Sequence, residues 1–328
     1  MSHARTLTAR ASDHPKTLDF LWLETTNRCN LQCSHCYADS SPYSGHRDVM
    51  TEAQYLRVID EGFEAGCSQI QFIGGEPTLN PSLPAMVRRA REAGYTFIEV
   101  FTNLVRVDDP LLAMFQAHDV DIATSYYSRH AGTHDRITLS LGSHRRTTTN
   151  IARVLAAGLR LRVGVIEMDA NRGEFDETAG FLRGMGVTNI GRDIVRGFGR
   201  AERCSGTERH EHDDSGMAEL CGQCATNTLA IGSDGVAAPC IMSRRWAVGS
   251  ALDGSLHDIL ASDGLARTRA RIAAVTASRA QAEDDCYPQC GPQNQQCMPE
   301  CSPSAQCTPC APNGSYKCQP NAWCSPGR

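Results

Sequence analysis

From residue 18 to about 200, short apolar runs alternate with stretches whose apolar residues recur every three or four positions. That alternation predicts strand–helix units. The strand candidates are "LDFLWLE" (18–24), "QIQFI" (69–73), "TFIEVF" (96–101), "VDIATS" (120–125), "RLRVGVIEM" (160–168) and "TNIGRDIV" (188–195). Thr51 begins a helix, because Thr51 and Gln54 fit a capping box and Tyr55, Leu56, Val58, Ile59 and Phe63 supply one apolar face. A helix near 83–93 stops at Gly94, and Asp109-Pro110 opens another with Asp109 as N-cap. Further helices are expected over about 148–157, ending at Gly158, and over 174–185, stopping near Gly186.

Six such units predict an α/β fold with a parallel sheet and helices outside it. They are too few for an eight-fold barrel, so the expectation is a partial (β/α)6 TIM-like barrel. In such folds the chemistry sits on loops beyond the C-terminal ends of the strands. Residues 1–17 form an N-terminal extension and residues 18–200 the barrel. The polar stretch 201–216, with His210 and His212, is a linker. Residues 217–328 make a second module. In it "TLAIGSDGVAAPC" predicts two short strands around a Ser-Asp-Gly turn, followed by a helix over about 255–275.

Composition narrows the chemistry. The chain has 328 residues and a net charge of −5, which gives no electrostatic support for broad nucleic-acid binding. The first 17 residues lack the apolar run of a secretory signal, and no apolar run approaches the roughly 20 residues of a membrane helix. A cytoplasmic location is expected, where thiols stay reduced. Sixteen cysteines then point to metal before disulfides. Cys67, beside Gly66 at a helix end, reads as a small buried residue.

The loop after the first strand reads "CNLQCSHC", placing Cys29, Cys33 and Cys36 in a C-x3-C-x2-C spacing. Three thiolates cannot complete the usual four-cysteine ligation of a [4Fe–4S] cluster, so one iron stays open. Four polar or glycine-rich stretches follow at successive strand ends. They are "GGEP" (Gly74, Gly75, Glu76, Pro77), Thr102 with Asn103, Ser125, and Val165-Ile166-Glu167; "RGFGRA", with Gly197, Gly199 and Arg200, comes after the sixth strand. Singly each is an ordinary turn, cap or strand end. Together, in strand order behind the three-cysteine loop, the chain resembles the radical S-adenosylmethionine (SAM) superfamily, with His35 in the signature's aromatic place. The resemblance implies that the open iron binds SAM and that a 5′-deoxyadenosyl radical abstracts hydrogen from a C–H bond. It also implies that Gly74 to Pro77 hold the SAM amino group, that Thr102, Asn103 and Ser125 make polar contacts, and that 165–167 pack the adenine.

The second module is similar to the SPASM domain, through Cys224, Gly235 and Cys240, with Cys221 adding a C-x2-C. Downstream, Cys286, Cys290, Cys297 and Cys301 keep the family's order with two gaps one residue longer. Cys307, Cys310, Cys318 and Cys324 follow, and every cysteine from 286 onward has proline two residues later. Proline fixes φ and turns the chain after each thiol. The likeness implies one or two auxiliary [4Fe–4S] clusters held by cysteines of this set. Zinc in the tail and a structureless low-complexity tail remain alternatives.

A SPASM-type enzyme implies a ribosomally made precursor peptide as substrate, crosslinked, epimerised or oxidised. A radical SAM dehydrogenase of a sugar or cyclitol is the alternative enzyme, and an iron–sulfur or zinc protein without catalysis is the third reading. About 17 residues precede the first strand, too few for a leader-binding domain, so a separate leader-binding protein is expected, with a flavodoxin or ferredoxin as electron donor. No catalytic acid or base is identifiable. Tyr126, Tyr127, Arg129 and Arg192, near the expected mouth, read as packing or surface charge.

Overall fold

The structure is a computed structural model. It describes residues 18–45, 47–204, 214–252 and 254–282. The N-terminal extension, most of the expected linker with His210 and His212, and the eight tail cysteines from Cys286 to Cys324 lie outside the described residues.

The barrel strands are β1 (Phe20–Glu24), β2 (Gln69–Ile73), β3 (Phe97–Phe101), β4 (Asp121–Tyr126), β5 (Leu161–Glu167) and β6 (Asn189–Ile194). Around them run α1 (Glu52–Glu64), α2 (Leu83–Ala93), α3 (Asp109–Ala117), α4 (Ala131–Thr138), α5 (Ser143–Ala156) and α6 (Phe175–Gly184). All six strands pair in parallel in chain order. After α7 (Arg200–Cys204) come β7 (Thr228–Ile231), β8 (Val236–Ala238), β9 (Gly249–Ser250), α8 (Leu256–Leu260) and α9 (Asp263–Ala282). β7 and β8 form the expected antiparallel hairpin.

The second module does not stand apart. β7 pairs in parallel with β1, Leu21 opposite Leu229, so one nine-stranded sheet runs β6-β5-β4-β3-β2-β1-β7-β8-β9 and stays open. Alternation along β1 explains the join. Leu21 and Leu23 enter the core under the helices, while Phe20 and Trp22 pack with Ala230, Cys240 and Trp246 of the second module.

Local signals set most helix ends. Thr51 and Gln54 form the capping box, and Gly94 caps α2 with φ 115°. The α3 cap is Asp108, whose carboxylate accepts from the Leu111 N–H at 3.0 Å; Asp109 is already the first helical residue. The helix expected over 148–157 begins earlier, at Ser143, and is preceded by α4, which the apolar pattern did not reveal. The single helix expected over 255–275 is two, broken near Ala261, with α8 capped by Ser255 and Asp258.

The inner face of the sheet carries charge. The Arg162 guanidinium on β5 bonds Glu99 on β3 at 2.7 and 3.1 Å, and Gln71 on β2 donates to the same carboxylate. Glu99 and Gln71 are almost fully buried, so this network is desolvated and paired.

Candidate active site

The three-cysteine loop leaves β1 and is clamped from both sides. On one side, backbone N–H groups of Gly75 and Glu76 donate to the carbonyls of Thr26 (2.7 Å) and Arg28 (2.8 Å). A Cβ on Gly75 would lie 2.2 Å from the Arg28 carbonyl oxygen, and one on Gly74 2.4 Å from that of Thr26. The close approach that demands glycine here is therefore to the loop's own backbone. On the other side, the Arg200 guanidinium donates to the Cys33 carbonyl (2.8 Å), the Ser40 carbonyl (2.5 Å) and Asp39 (2.9 Å). Gly199, at φ 59°, lets this arm approach the Cys36 and Tyr37 carbonyls.

Glu76 braces the floor. Its buried carboxylate accepts from the Thr78 N–H and hydroxyl, the Thr102 hydroxyl and the Asn103 N–H. Burial raises its pKa, and these four bonds oppose the rise. Asn103 reaches back to the loop, donating from Nδ2 to Asn30 Oδ1 at 2.7 Å and to Cys29 Sγ at 3.7 Å.

A cavity of about 230 Å³ opens above the strand ends, and Cys29, Cys33 and Cys36 line it. Gly74, Gly75, Asn103, Ser125 and Ile166 line it too. Glu76, Pro77, Thr102, Val165 and Glu167 do not: Glu76 and Thr102 bond each other beneath it, Val165 is in the core, and Glu167 pairs with Arg192 at 2.5 Å. The lining also carries the charged residues Arg162, Arg192, Asp193 and Arg196. Tyr127, read from sequence as packing, lines the cavity and shares a hydrogen bond with the Cys33 thiol. A ring two residues beyond Ser125 gives no local sign of that reach. Tyr126 instead stays in the core, and Arg129 pairs with Glu177 at 2.7 Å.

The donor set suits an iron–sulfur cube. Burial pushes the Cys29 and Cys33 thiols up to about 12, so their thiolates require a compensating cation. Donors for cluster sulfur are in place: the Leu31 N–H lies 3.4 Å from Cys29 Sγ, beside the Asn103 amide. His35 is held neutral, its pKa lowered to about 4 chiefly by burial, with Arg200 adding to the effect.

In the second module Cys224 and Cys240 are buried and Cys221 is partly buried. Hydrogen bonds to Cys221 and Cys240 raise the Cys224 pKa, and burial adds to the rise. Among the described residues no three His, Cys, Asp or Glu side chains meet at the spacing one metal ion needs. A cube places its thiolates on different irons and does not ask for that spacing. Cys67 is fully buried, its thiol donating to the Gln69 carbonyl at 3.1 Å.

Comparison with known proteins agrees with this geometry. Residues 23–183 match the radical SAM superfamily, and residues 217–301 match the SPASM iron–sulfur cluster-binding domain. The antilisterial bacteriocin subtilosin biosynthesis protein AlbA of Bacillus subtilis is 27% identical over 183 residues, 54% of this chain and 39% of that protein. The PqqA peptide cyclase of Granulibacter bethesdensis is 28% identical over 183 residues, 55% of this chain and 48% of that one. The chain thus spans less than half the length of these relatives. Streptococcus suis SuiB, solved bound to its precursor peptide SuiA, shares the fold with a TM-score of 0.60 at 13% identity, over 76% of this chain and 66% of that one. The chain belongs to the radical SAM superfamily and carries a SPASM domain after its barrel.

Proposed function

We infer that the protein reductively cleaves SAM and uses the resulting radical to modify a ribosomally synthesised peptide by crosslinking, epimerisation or oxidation. One observation carries the reading: Cys29, which is buried, and Cys33 and Cys36, which are partly buried, line a single cavity with Gly74, Asn103 and Ser125. Cys29, Cys33 and Cys36 would hold the [4Fe–4S] cluster, whose open iron supplies electron transfer to bound SAM. The chain's own part is to fix that loop. Gly75, Glu76 and Arg200 hold its backbone, Asn103 and Leu31 donate toward Cys29 Sγ, and Tyr127 closes over Cys33. Ser125, Gly74, Gly75 and Ile166 would face SAM. The charged wall of Arg162, Asp193 and Arg196 faces the remaining space and would orient a polar peptide backbone. Preorganised donors of this kind keep their geometry when the site closes, which is how such walls assist a reaction.

Cys221, Cys224 and Cys240, joined by cysteines among Cys286, Cys290, Cys297, Cys301, Cys307, Cys310, Cys318 and Cys324, would hold one or two auxiliary clusters. AlbA is named for biosynthesis of the bacteriocin subtilosin and the PqqA cyclase for the peptide it cyclises, which favours a peptide substrate here. A separate leader-binding protein and a one-electron donor complete the expected partners. No described helix is long and apolar enough to cross a membrane, and a cytoplasmic setting accords with that. The test is anaerobic co-expression with candidate precursor peptides encoded beside the gene. A mass change confined to the peptide supports the reading. Deoxyadenosine formation without any peptide change would turn it toward a small-molecule substrate.

A further inference from the structure

The end of α4 joins the cavity lining to residues open to solvent. Thr138 lines the cavity, yet Leu139, the next residue, is 58% exposed, and Leu141 is 91% exposed. The cysteine loop rests on this same turn: the Gln32 and Ser34 N–H groups, flanking Cys33, donate to the Thr138 and Ile137 carbonyls at 3.2 and 2.9 Å. The turn is held rigid. Leu139 sits at φ 51°, a left-handed conformation that leucine seldom adopts, and the Asp135 carboxylate accepts from the Gly142 and His144 N–H groups and the Ser143 hydroxyl. Asp135 is the only acid between Arg129 and Asn150, while Arg136 and Arg145 are exposed. The two leucines therefore form an apolar knuckle with a basic rim.

A row of rings in edge-to-face contact runs from α5 through α4 to Tyr127 in the cavity lining. The ring of His144 lies 5.4 Å from that of His134, which lies 5.2 Å from Tyr127, whose hydroxyl bonds the Cys33 thiol. His134 Nδ1 and His144 Nε2 are buried without a hydrogen-bond partner among the described residues. An unpartnered buried nitrogen costs stability. These ring contacts lead from partly buried His144 to Tyr127 beside Cys33 and make a packed route for an electron.

We propose that the Leu139–Leu141 knuckle, rimmed by Arg136 and Arg145, docks a small acidic one-electron carrier protein that reduces the cluster held at Cys29, Cys33 and Cys36. The proposal rests on the cluster reading above. The carrier loses one electron and the cluster gains it; no bond is made or broken. The basic rim complements an acidic partner and steers its approach, and a small apolar centre suits a transient complex.

The experiment uses the reconstituted full chain with a bacterial flavodoxin, and dithionite as the reductant that needs no docking. Calorimetry reads flavodoxin binding, and stopped-flow absorbance reads cluster reduction. Leu141→Glu and Arg145→Glu are each expected to weaken binding and slow flavodoxin-driven reduction at least about tenfold, with dithionite-driven reduction unchanged. Wild-type binding should also weaken as salt rises. Unchanged flavodoxin binding and rate in both variants, or no flavodoxin binding by wild type, would overturn the proposal. So would an equal loss with dithionite, which would place the knuckle in the cavity's own integrity. A wild-type chain that binds flavodoxin at the knuckle but forms no deoxyadenosine with dithionite would instead sink the SAM reading alone.

Discussion

The hydroxyl of Thr102, at the end of β3, donates to Oε1 of Glu76, beyond the end of β2, at 2.7 Å. Both residues are about 1% exposed, so the bond joins two adjacent strand ends out of reach of water. Thr102→Val keeps the shape and removes the donor. A hydrogen bond to a charged acceptor is worth about 1.5–3 kcal/mol. Denaturant titration should show a loss of that size, with SAM affinity less affected than stability. A stability unchanged within error would mean that Glu76 is satisfied without Thr102.

Gly75→Ala should be worse for the cluster than for the fold. The added methyl meets the Arg28 carbonyl, and backbone cannot rotate away as a side chain can. The overpacking costs about 1–3 kcal/mol, and its strain falls on the loop that carries Cys29. The iron-to-protein ratio after anaerobic reconstitution is the readout, and it should fall while far-ultraviolet circular dichroism keeps its native shape.

Arg200→Met retains the apolar stem and removes the three hydrogen bonds to the loop. Removing a group that orients metal ligands commonly costs about 10–100-fold in metal affinity or activity. Deoxyadenosine formation should drop within that range, and Arg200→Lys should recover only part of it, because one ammonium cannot reproduce the guanidinium fork.

His134 predicts an acid limb in stability. It is buried against Tyr126, Tyr127 and His144, and burial, with the His144 charge, lowers its pKa from 6.5 to about 3, against a smaller opposing pull from Asp135. Between those two values the unfolded chain binds a proton that the folded chain does not. Stability is therefore intact above pH 6.5 and falls as pH drops toward 3, by at most about 1.4 kcal/mol per pH unit from this group. His134→Leu should flatten that limb in thermal melts taken across the window. An unchanged slope would show that other groups set the acid sensitivity.

What the sequence made legible was local. The Thr51–Gln54 box, the Gly94 stop and the β2 run are each written within a few adjacent residues, and the structure places them as expected. The three-cysteine loop was legible because its ligands are consecutive in sequence. α4 was not, since "AGTHDRIT" has weak helix formers and little apolar period; its last turn is held by Asp135 bonds to residues further along the chain. The β1–β7 pairing joins segments about 200 residues apart and leaves no local trace. Arg200 and Tyr127 were both named from the sequence, but their roles were hidden for the same reason, because each acts on a loop from a distant element. Glu76 is a different case. Its place after "GG" is legible, but whether the carboxylate faces a ligand or turns inward to Thr102 depends on packing alone.

The central claim is tested most directly by following SAM itself. Reconstituted wild-type protein, reduced with dithionite under anaerobic conditions, should convert SAM to 5′-deoxyadenosine and methionine in equal amounts by liquid chromatography and mass spectrometry. The variant with Cys29, Cys33 and Cys36 all changed to alanine should form none above background. Equal deoxyadenosine from both proteins would contradict the account.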